Sequence, residues 1–560
     1  MRPFTPQGIE PLPEVDLNIV GSSVFGRYNK ISSELTQNMF ISDNWLVNFA
    51  GWKQIYNLLP NSTIANQGRG VYVSTRGNLM IAVVNAQVFQ LNALLTPILI
   101  GTLATSRGEV FIDENLNSQI CIVDGLHAYI YNWSTSPNLT IQTAGDLGNG
   151  NLIPNYVCYH NTFFLFGNAN KTGNGAAWYA YSYSSATQIV QTTQLALQTK
   201  PDYALAVVRI PAQGNNVLVL GSTVCEIWTQ VGGLQNYRRN STINVDYGCA
   251  SVSTIASSDR YVAWLGINEA NAPVIMVYSG QGNVPISTDG IDYLLSKIQY
   301  PAQSTAMFYR QDGHLFYQLT FYNTVDNLTI AYDFTTEKFF NLTDQDTNYH
   351  PARNFVYFNN NIYFISLNNA SIYQSSTDFT SYDENILPYN SLEYNPALNA
   401  DIPRVRIPAS IRLKNNTRFI CDRVTLTLEQ GCDPNVSVAS LENNINYYVT
   451  EDSTYADENI YETAWGSLYV TEDSGVNPAG GSNLGLVIIP PYQPRIDLCL
   501  SVDGGITYGN YVSRELNPIG YRQNIMSWDR LGLANDLTLK FKFWGNSRFI
   551  LNNGSAYLYA

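Results

Sequence analysis

Four histidines, seven cysteines and one acidic segment are the residues of this sequence best suited to chemistry. His127, His160, His314 and His350 lie far apart, and none has a second His, a Cys or a carboxylate at a metal-ligand spacing. They read as structural side chains. No Gly-x-Ser-x-Gly occurs, so a nucleophile elbow is unsupported. Gly167-Asn168-Ala169-Asn170-Lys171-Thr172 hints at a phosphate loop, but no Gly precedes Lys171 and strand-like sequence follows. Cys121, Cys158, Cys225, Cys249, Cys421, Cys432 and Cys499 are odd in number and mostly set in apolar runs such as Ile120-Cys121-Ile122-Val123, where buried free thiols are expected. Cys421 and Cys432 are placed to flank a hairpin and pair, in an oxidising compartment only.

The acidic segment, 442–483, holds Glu442, Glu451, Asp452, Asp457, Glu458, Glu462, Glu472 and Asp473 and no Lys or Arg. Within it Tyr448-Val449-Thr450-Glu451-Asp452-Ser453 returns as Tyr469-Val470-Thr471-Glu472-Asp473-Ser474. The repeat suggests two similar strands crossing one environment, most simply a projecting hairpin. Glu451, Asp452, Glu472 and Asp473 are the weak metal candidates, since cation sites want converging carboxylates. Tyr447, Tyr448, Tyr461 and Trp465 are interaction candidates, either stacking on sugar rings or packing the insert against a neighbouring subunit. The second reading is preferred. No cofactor is expected, and no catalytic constellation appears.

One further motif is tempting. Ser501-Val502-Asp503-Gly504-Gly505-Ile506-Thr507-Tyr508 resembles the Asp-box turn of sialidase propellers. That box is a structural hairpin, in which the Asp accepts backbone hydrogen bonds. Arg-Ile-Pro at Arg209 and Arg406 resembles the sialidase arginine motif, but neither lies near the N-terminus. Glycosidase chemistry also needs a carboxylate pair at a set separation, which sequence does not display.

The elements that would position such groups are strands. The chain has 560 residues, 39 of them Tyr and only 13% charged, and Tyr, Asn and Gly outweigh helix formers. Its length suggests two to four domains. The low charge points to a neutral-polar surface, partly buried in an assembly. The net charge of −14 gives no general attraction for phosphate backbones. The N-terminus lacks the apolar core of a signal peptide, and the apolar run 93–103 is short and broken by Pro97, so no membrane-spanning segment is expected. The eleven Asn-x-Ser/Thr sequons match chance for so much Asn.

Along the chain, 1–50 reads as an extended segment contacting the platform or a neighbouring ring, with only 32–39 able to hold a helical turn or two. From 51 to 385 hairpins recur about every 45 to 60 residues, the spacing of four-stranded propeller blades. Gln119 to Val123 and Ala128 to Tyr131 flank an Asp-Gly turn, and 261–295 gives strand, loop, strand and turn. From 386 to 560 the runs lengthen and alternate, as in Leu539, Lys540, Phe541, Lys542 and Phe543, which predicts a β-sandwich-like platform. The expected fold is all-β: a propeller of six to eight irregular blades, then a platform with an inserted acidic hairpin.

Several stretches, in order, resemble the packaged-DNA stabilisation proteins of short-tailed bacteriophages, also called the tail hub or nozzle. They are Gln37-Asn38-Met39 with 44–51, Arg69-Gly70-Val71, and 219–226 around Gly221-Ser222-Thr223. Next come 261–286 with Ala272-Pro273, Ser279-Gly280-Gln281-Gly282 and Pro285-Ile286, then Asp503-Gly504-Gly505-Ile506-Thr507-Tyr508-Gly509, and last Trp528-Asp529-Arg530-Leu531-Gly532. The acidic insert departs from that pattern. The resemblance implies a non-enzymatic virion tail protein made in the host cytoplasm. It would form a hexameric ring below the head–tail adaptor, close the channel over packaged double-stranded DNA, conduct it on ejection, and mount a needle, fibres or spikes. The alternative is a glycan-binding or glycan-degrading propeller. A third, an extracellular glycoprotein, would need a signal peptide.

Overall fold

The structure, a computed structural model, describes residues 12, 14–26, 34–60, 65–143, 147, 150–171, 174–232, 236–280, 282–385, 399–430, 494–516, 523–545 and 548–559. It divides into two compact units, 23–33 with 53–376, and 1–22 with 34–52 and 377–560.

The first unit contains seven sheets in succession, each an antiparallel meander. Blade one runs Gly68–Ser74, Leu79–Val84, Gln87–Leu91 and Pro97–Thr102. Blade two runs from Phe111–Glu114 to Ser136–Ile141, blade three from Pro154–His160 to Gln188–Ala196, and blade four from Ala206–Arg209 to Tyr237–Val245. In blade five the first strand is split into Gly248–Cys249 and Ala256–Ser257 by the 3-10 turn Val252–Thr254, and both pieces pair with Val262–Ile267. Blade six spans Ser304–Gln311 to Lys338–Asn341. Blade seven takes three strands, Ala352–Phe358, Asn361–Ser366 and Ser371–Ser376, from the end of the unit, and its fourth is residues 53–57 of the strand Gly51–Asn57. Gln54 Nε2 donates to Ser371 Oγ at 2.8 Å across that closure. First strands touch from blade one to blade four and from blade five to blade seven, and Ala352–Phe358 returns to Gly68–Ser74. The ring is a seven-bladed propeller.

Why the middle strands are apolar throughout follows from this arrangement. Each blade is sandwiched between two others, so both strand faces are buried. In Leu79–Val84 every residue is buried. Leu79, Ile81 and Val83 join Ile120 and Ile122 between blades one and two. Met80, Ala82 and Val84 join Ile365 and Ile372 between blades one and seven. Cys121 and Val123 face the other way, toward Phe164 and Phe166 of blade three. Blades six and seven meet through rings, with Tyr309 4.7 Å from Phe355 and Phe355 5.4 Å from Phe364.

Between blades five and six sits the helix Asp289–Leu295, which the strand-like reading of 261–295 does not anticipate. Thr288 caps it by accepting from the Ile291 N–H. Gly290 is required there, because a Cβ would lie 1.7 Å from the Phe25 carbonyl oxygen.

The second unit is a β-sandwich. One sheet orders Met39–Ser42, Trp45–Asn48, Phe549–Tyr559, Phe419–Gln430 and Gln523–Ala534, with Val15–Asp16 on Phe549–Tyr559. The other orders Leu35–Gln37, Arg404–Ile407, Asp536–Trp544, Arg495–Ser501 and Val512–Glu515. Between them Leu426, Leu428, Trp528, Leu539, Phe541, Phe543 and Leu551 form one core. Along Phe419–Gln430 the buried set changes phase, from Phe419 and Cys421 to Val424, Leu426 and Leu428, where the register shifts between Cys421 and Arg423. The helical turn expected within 32–39 is instead strand: Leu35–Gln37 pairs with Arg404–Ile407, because ladder partners outweigh weak local helix preference. Arg406, fully buried, donates to the carbonyls of Asn18, Ile19 and Ser22 and to Glu34, and so fastens the early segment to this sandwich.

Candidate axial site

In the propeller unit, charged side chains gather where the seven first strands face the axis. Glu109 lies two residues ahead of Phe111–Glu114, the first strand of blade two. Its Oε2 accepts from the Thr305 hydroxyl of blade six at 2.9 Å. It also accepts from the hydroxyl of Ser253 in blade five and lies 3.8 Å from Arg353 Nε of blade seven. Blades two and six are three steps apart, the largest separation in a ring of seven. The Thr305–Glu109 bond therefore crosses the axis. Burial pushes the Glu109 carboxyl up to about 7, against the pull of Arg353 and the two hydroxyls.

Arg69 closes the neighbouring sector. It is fully buried and donates to the carbonyls of Gly108, Asn85 and Thr105 at 2.7, 2.9 and 2.7 Å, and to the Thr105 hydroxyl. Burial lowers it to about 10, partly offset by Asp124. Asp124 itself accepts from the N–H groups of Leu126 and His127 and from Tyr129 Oη.

A second tier lies further along the same strands. Asp113 accepts from the Tyr159 N–H of blade three at 2.7 Å and from the Tyr72 hydroxyl of blade one. Arg209 of blade four faces it and is held above its ordinary range chiefly by the Asp113 charge. Asp113 is nonetheless raised, because burial outweighs that cation. Arg209 keeps its side chain exposed, so this tier is wet on one side.

Each carboxylate is occupied by hydroxyls, backbone N–H groups or a cation, and the flanking thiol Cys158 is buried and pushed up to about 12. What they do is tie blades one through seven together at the centre. Sequence reading missed Glu109, Asp113, Arg209, Arg353 and Thr305 as a group. The signal was faint: charged residues on strands of a chain with few charges, separated by up to 244 positions between Glu109 and Arg353.

The residues singled out from sequence lie elsewhere. His160 is held between Tyr237 Oη and the Gly214 carbonyl, both at 2.9 Å. His314 Nδ1 lies 2.8 Å from Asp333. Burial lowers His350 to about 3, which leaves it neutral and accepting from the Ala352 N–H. His127 packs edge-on to Tyr129. The Asp503 turn uses its carboxylate internally, accepting from Ile506 N–H, Thr507 N–H and the hydroxyls of Ser501 and Thr507. Gly504 and Gly505 take φ of 78° and 89° to make the turn. Those bonds hold Asp503 well below the usual carboxylate range. Glu451, Asp452, Glu472, Asp473, Tyr447, Tyr448, Tyr461 and Trp465 lie outside the described residues, as does Cys432, while Cys421 is a buried free thiol. Among the described residues no group of three potential metal ligands occurs, and no helix is long and apolar enough to cross a membrane.

Residues 33–380, which take in the whole ring of blades, match the protein family described as phage stabilisation, bacteriophage P22 Gp10, beta-propeller. Among solved structures, virginiamycin B lyase from Staphylococcus aureus is similar at 12% identity and TM-score 0.37, over 57% of this chain and 97% of that one. The Neurospora crassa Pan2 WD40 domain is similar at 8% identity and TM-score 0.37, over 58% and 95%. The WD40 propeller domain of Doa1 is similar at 10% identity and TM-score 0.36, over 59% and 97%. No curated protein sequence matches.

Proposed function

Because the chain belongs to the phage-stabilisation family of the bacteriophage P22 Gp10 propeller, a family of virion tail structural proteins, we propose that it forms the nozzle or hub ring below the head–tail adaptor. In this reading it assembles as a hexamer, retains packaged DNA, conducts it on ejection, and mounts a needle, fibres or spikes. The observation that carries the reading is the family match over the entire ring of blades.

Two physical features support it. The net charge of −14 suits a conduit that DNA slides through without sticking. The axis of the single propeller is bridged by Thr305 and Glu109 at 2.9 Å, so a duplex has no path through one subunit. The passage is then a property of a ring of chains, and retention comes from plugging rather than phosphate neutralisation. The protein acts without catalysis, and no structural observation favours a glycan-processing role.

The test is the mass of the purified chain in solution, followed by negative-stain imaging with and without the head–tail complex. Rings near six times 62.5 kDa, alone or only on the complex, are expected. A monomer that ignores the complex and releases sugar from host polysaccharide would overturn the reading.

A further inference from the structure

The chain carries 30 Lys and Arg against 44 Asp and Glu, yet one face of the sandwich reverses that balance. Arg495–Ser501 and Asp536–Trp544 are antiparallel neighbours in one of its sheets, and their register sets Arg495 beside Trp544, Asp497 beside Lys542 and Cys499 beside Lys540. Side chains alternate between faces along a strand, and the intervening Leu498, Phe541 and Phe543 belong to the core. Arg495, Lys540, Lys542 and Trp544 therefore stand on the outer face of the sheet. The next strand, Val512–Glu515, sets Ser513 beside Asp497 and Glu515 beside Arg495 on that face.

Rings order these cations more than carboxylates do. Lys542 Nζ lies 3.8 Å from the centre of the Trp544 ring, and the Arg495 guanidinium carbon lies 5.5 Å from it. Lys540 Nζ lies 5.3 Å from the centre of the Tyr508 ring. Asp497 is already engaged. It accepts from the Ser513 hydroxyl and the Trp544 indole N–H, both at 2.6 Å, with Arg495 Nε at 3.6 Å. At the far end of the face Asp536 pairs with Arg412 at 2.6 Å. Glu515 is exposed on the edge strand. Lys540 and Lys542 have rings but, among the described residues, no ion pair. Burial and the Lys540 charge both hold Lys542 below its ordinary value, so the two ammonium groups lack a counter-charge.

The most acidic stretch of the chain is joined to this face. Residues 431–493 connect Gln430, the last residue of Phe419–Gln430, to Pro494, which directly precedes Arg495. They contain no Lys or Arg, and 442–483 alone holds eight carboxylates. We propose that 442–483 docks on the outer face of Arg495–Ser501 and Asp536–Trp544 in its own chain, its carboxylates accepting from Lys540, Lys542 and Arg495. At about 3.3 Å per extended residue, a connection this long reaches every part of the face. Its attachment beside Arg495 holds the segment at an effective concentration on the order of millimolar, which favours the chain's own sandwich over a neighbouring subunit. Exposed ion pairs are individually weak, but several on one tethered segment act together. Docking within one chain needs no ring, so its failure and the failure of the nozzle reading are separate results.

The experiment uses the full-length protein and a zero-length carbodiimide, which joins an amine to a carboxylate only where the two meet. Peptide mass spectrometry should find Lys540 or Lys542 joined to carboxylates of 442–483, in chains that run at the monomer mass of 62.5 kDa on a denaturing gel. In 1 M NaCl, where the screening length is about 3 Å, those links should be lost. A glutamate-specific protease should cut 442–483 about fivefold faster in the Lys540→Gln, Lys542→Gln double variant than in the unaltered protein. The Lys540→Arg, Lys542→Arg variant keeps both charges and should be cut at the unaltered rate. Links confined to Asp497 or Glu515, links found only at dimer mass, links undiminished by salt, or equal cutting of the Gln variant each overturn the proposal. If that variant does not fold, the links in the unaltered protein and their loss in salt decide alone.

Discussion

Glu109 shows how a single side chain acquires a role from its place in a ring. A glutamate preceding a strand is ordinarily a surface residue. Here it reaches blades five, six and seven from blade two. Its folded value of about 7 stands above the ordinary 4.5, so the native state favours the protonated form. The stability it contributes is fully present below about 4.5 and is lost as pH rises through about 7. The groups facing it are Arg353, the hydroxyls of Thr305 and Ser253, and the Tyr156 phenol. Glu109→Gln, which keeps an acceptor for Thr305, should flatten this dependence and leave the propeller more stable at pH 8 by on the order of 1–3 kcal/mol. Thermal melts of both proteins from pH 5 to 8 check it. A fall that is equally steep in the variant would mean that another group titrates. At Asp503 the expectation is structural. Asp503→Ala removes the acceptor of the Ile506 and Thr507 N–H groups and should open 501–508 to protease, leaving oligomeric state unchanged, as limited proteolysis and solution mass would show.

At the scale of elements, the blade is the unit, and its second strand carries the energy. Ile81 is fully buried between blades one and two. Ile81→Ala should cost about 2–5 kcal/mol, measured by urea unfolding, while the same change at exposed Ile98 of the same blade should fall within about 0.5 kcal/mol. Closure is the second vulnerable element. Blade seven is completed by 53–57, and Gln54→Pro deletes a ladder N–H together with the Gln54–Ser371 bond. A loss of about 3 kcal/mol or more is expected, with hydrogen exchange rising first in Ser371–Ser376. Unchanged protection there would show that closure does not depend on this strand.

For the whole molecule, the blocked propeller axis bears directly on the proposed conduit. If the ring reading holds, duplex DNA never enters the propeller, and axial variants such as Glu109→Gln should leave particle assembly and DNA retention intact while changing stability. Particles built with that variant and assayed for spontaneous DNA release provide the check. Leakage from particles whose rings are fully assembled would place the axis on the DNA path and contradict the proposal.

The sequence by itself determined the class of fold and its punctuation. Turn residues such as Asp124-Gly125 end strands, and Ile122 does pair with Tyr129 around that turn. Both-faced apolar runs such as Leu79–Val84 announce strands sandwiched between blades, and the alternation through Leu539, Phe541 and Phe543 announces a strand buried on one face. These signals are local, carried by neighbours along the chain. Tertiary structure alone decided what depends on residues distant in sequence. Closing a ring of seven requires 53–57 to meet Ser371–Ser376, and no local pattern records which partner a strand will find. The helical potential of 32–39 yields to the strand Leu35–Gln37 because Arg404–Ile407 lies beside it. Glu109, Thr305 and Arg353 become one site only at the axis, where every blade contributes one strand and the separation along the chain no longer matters.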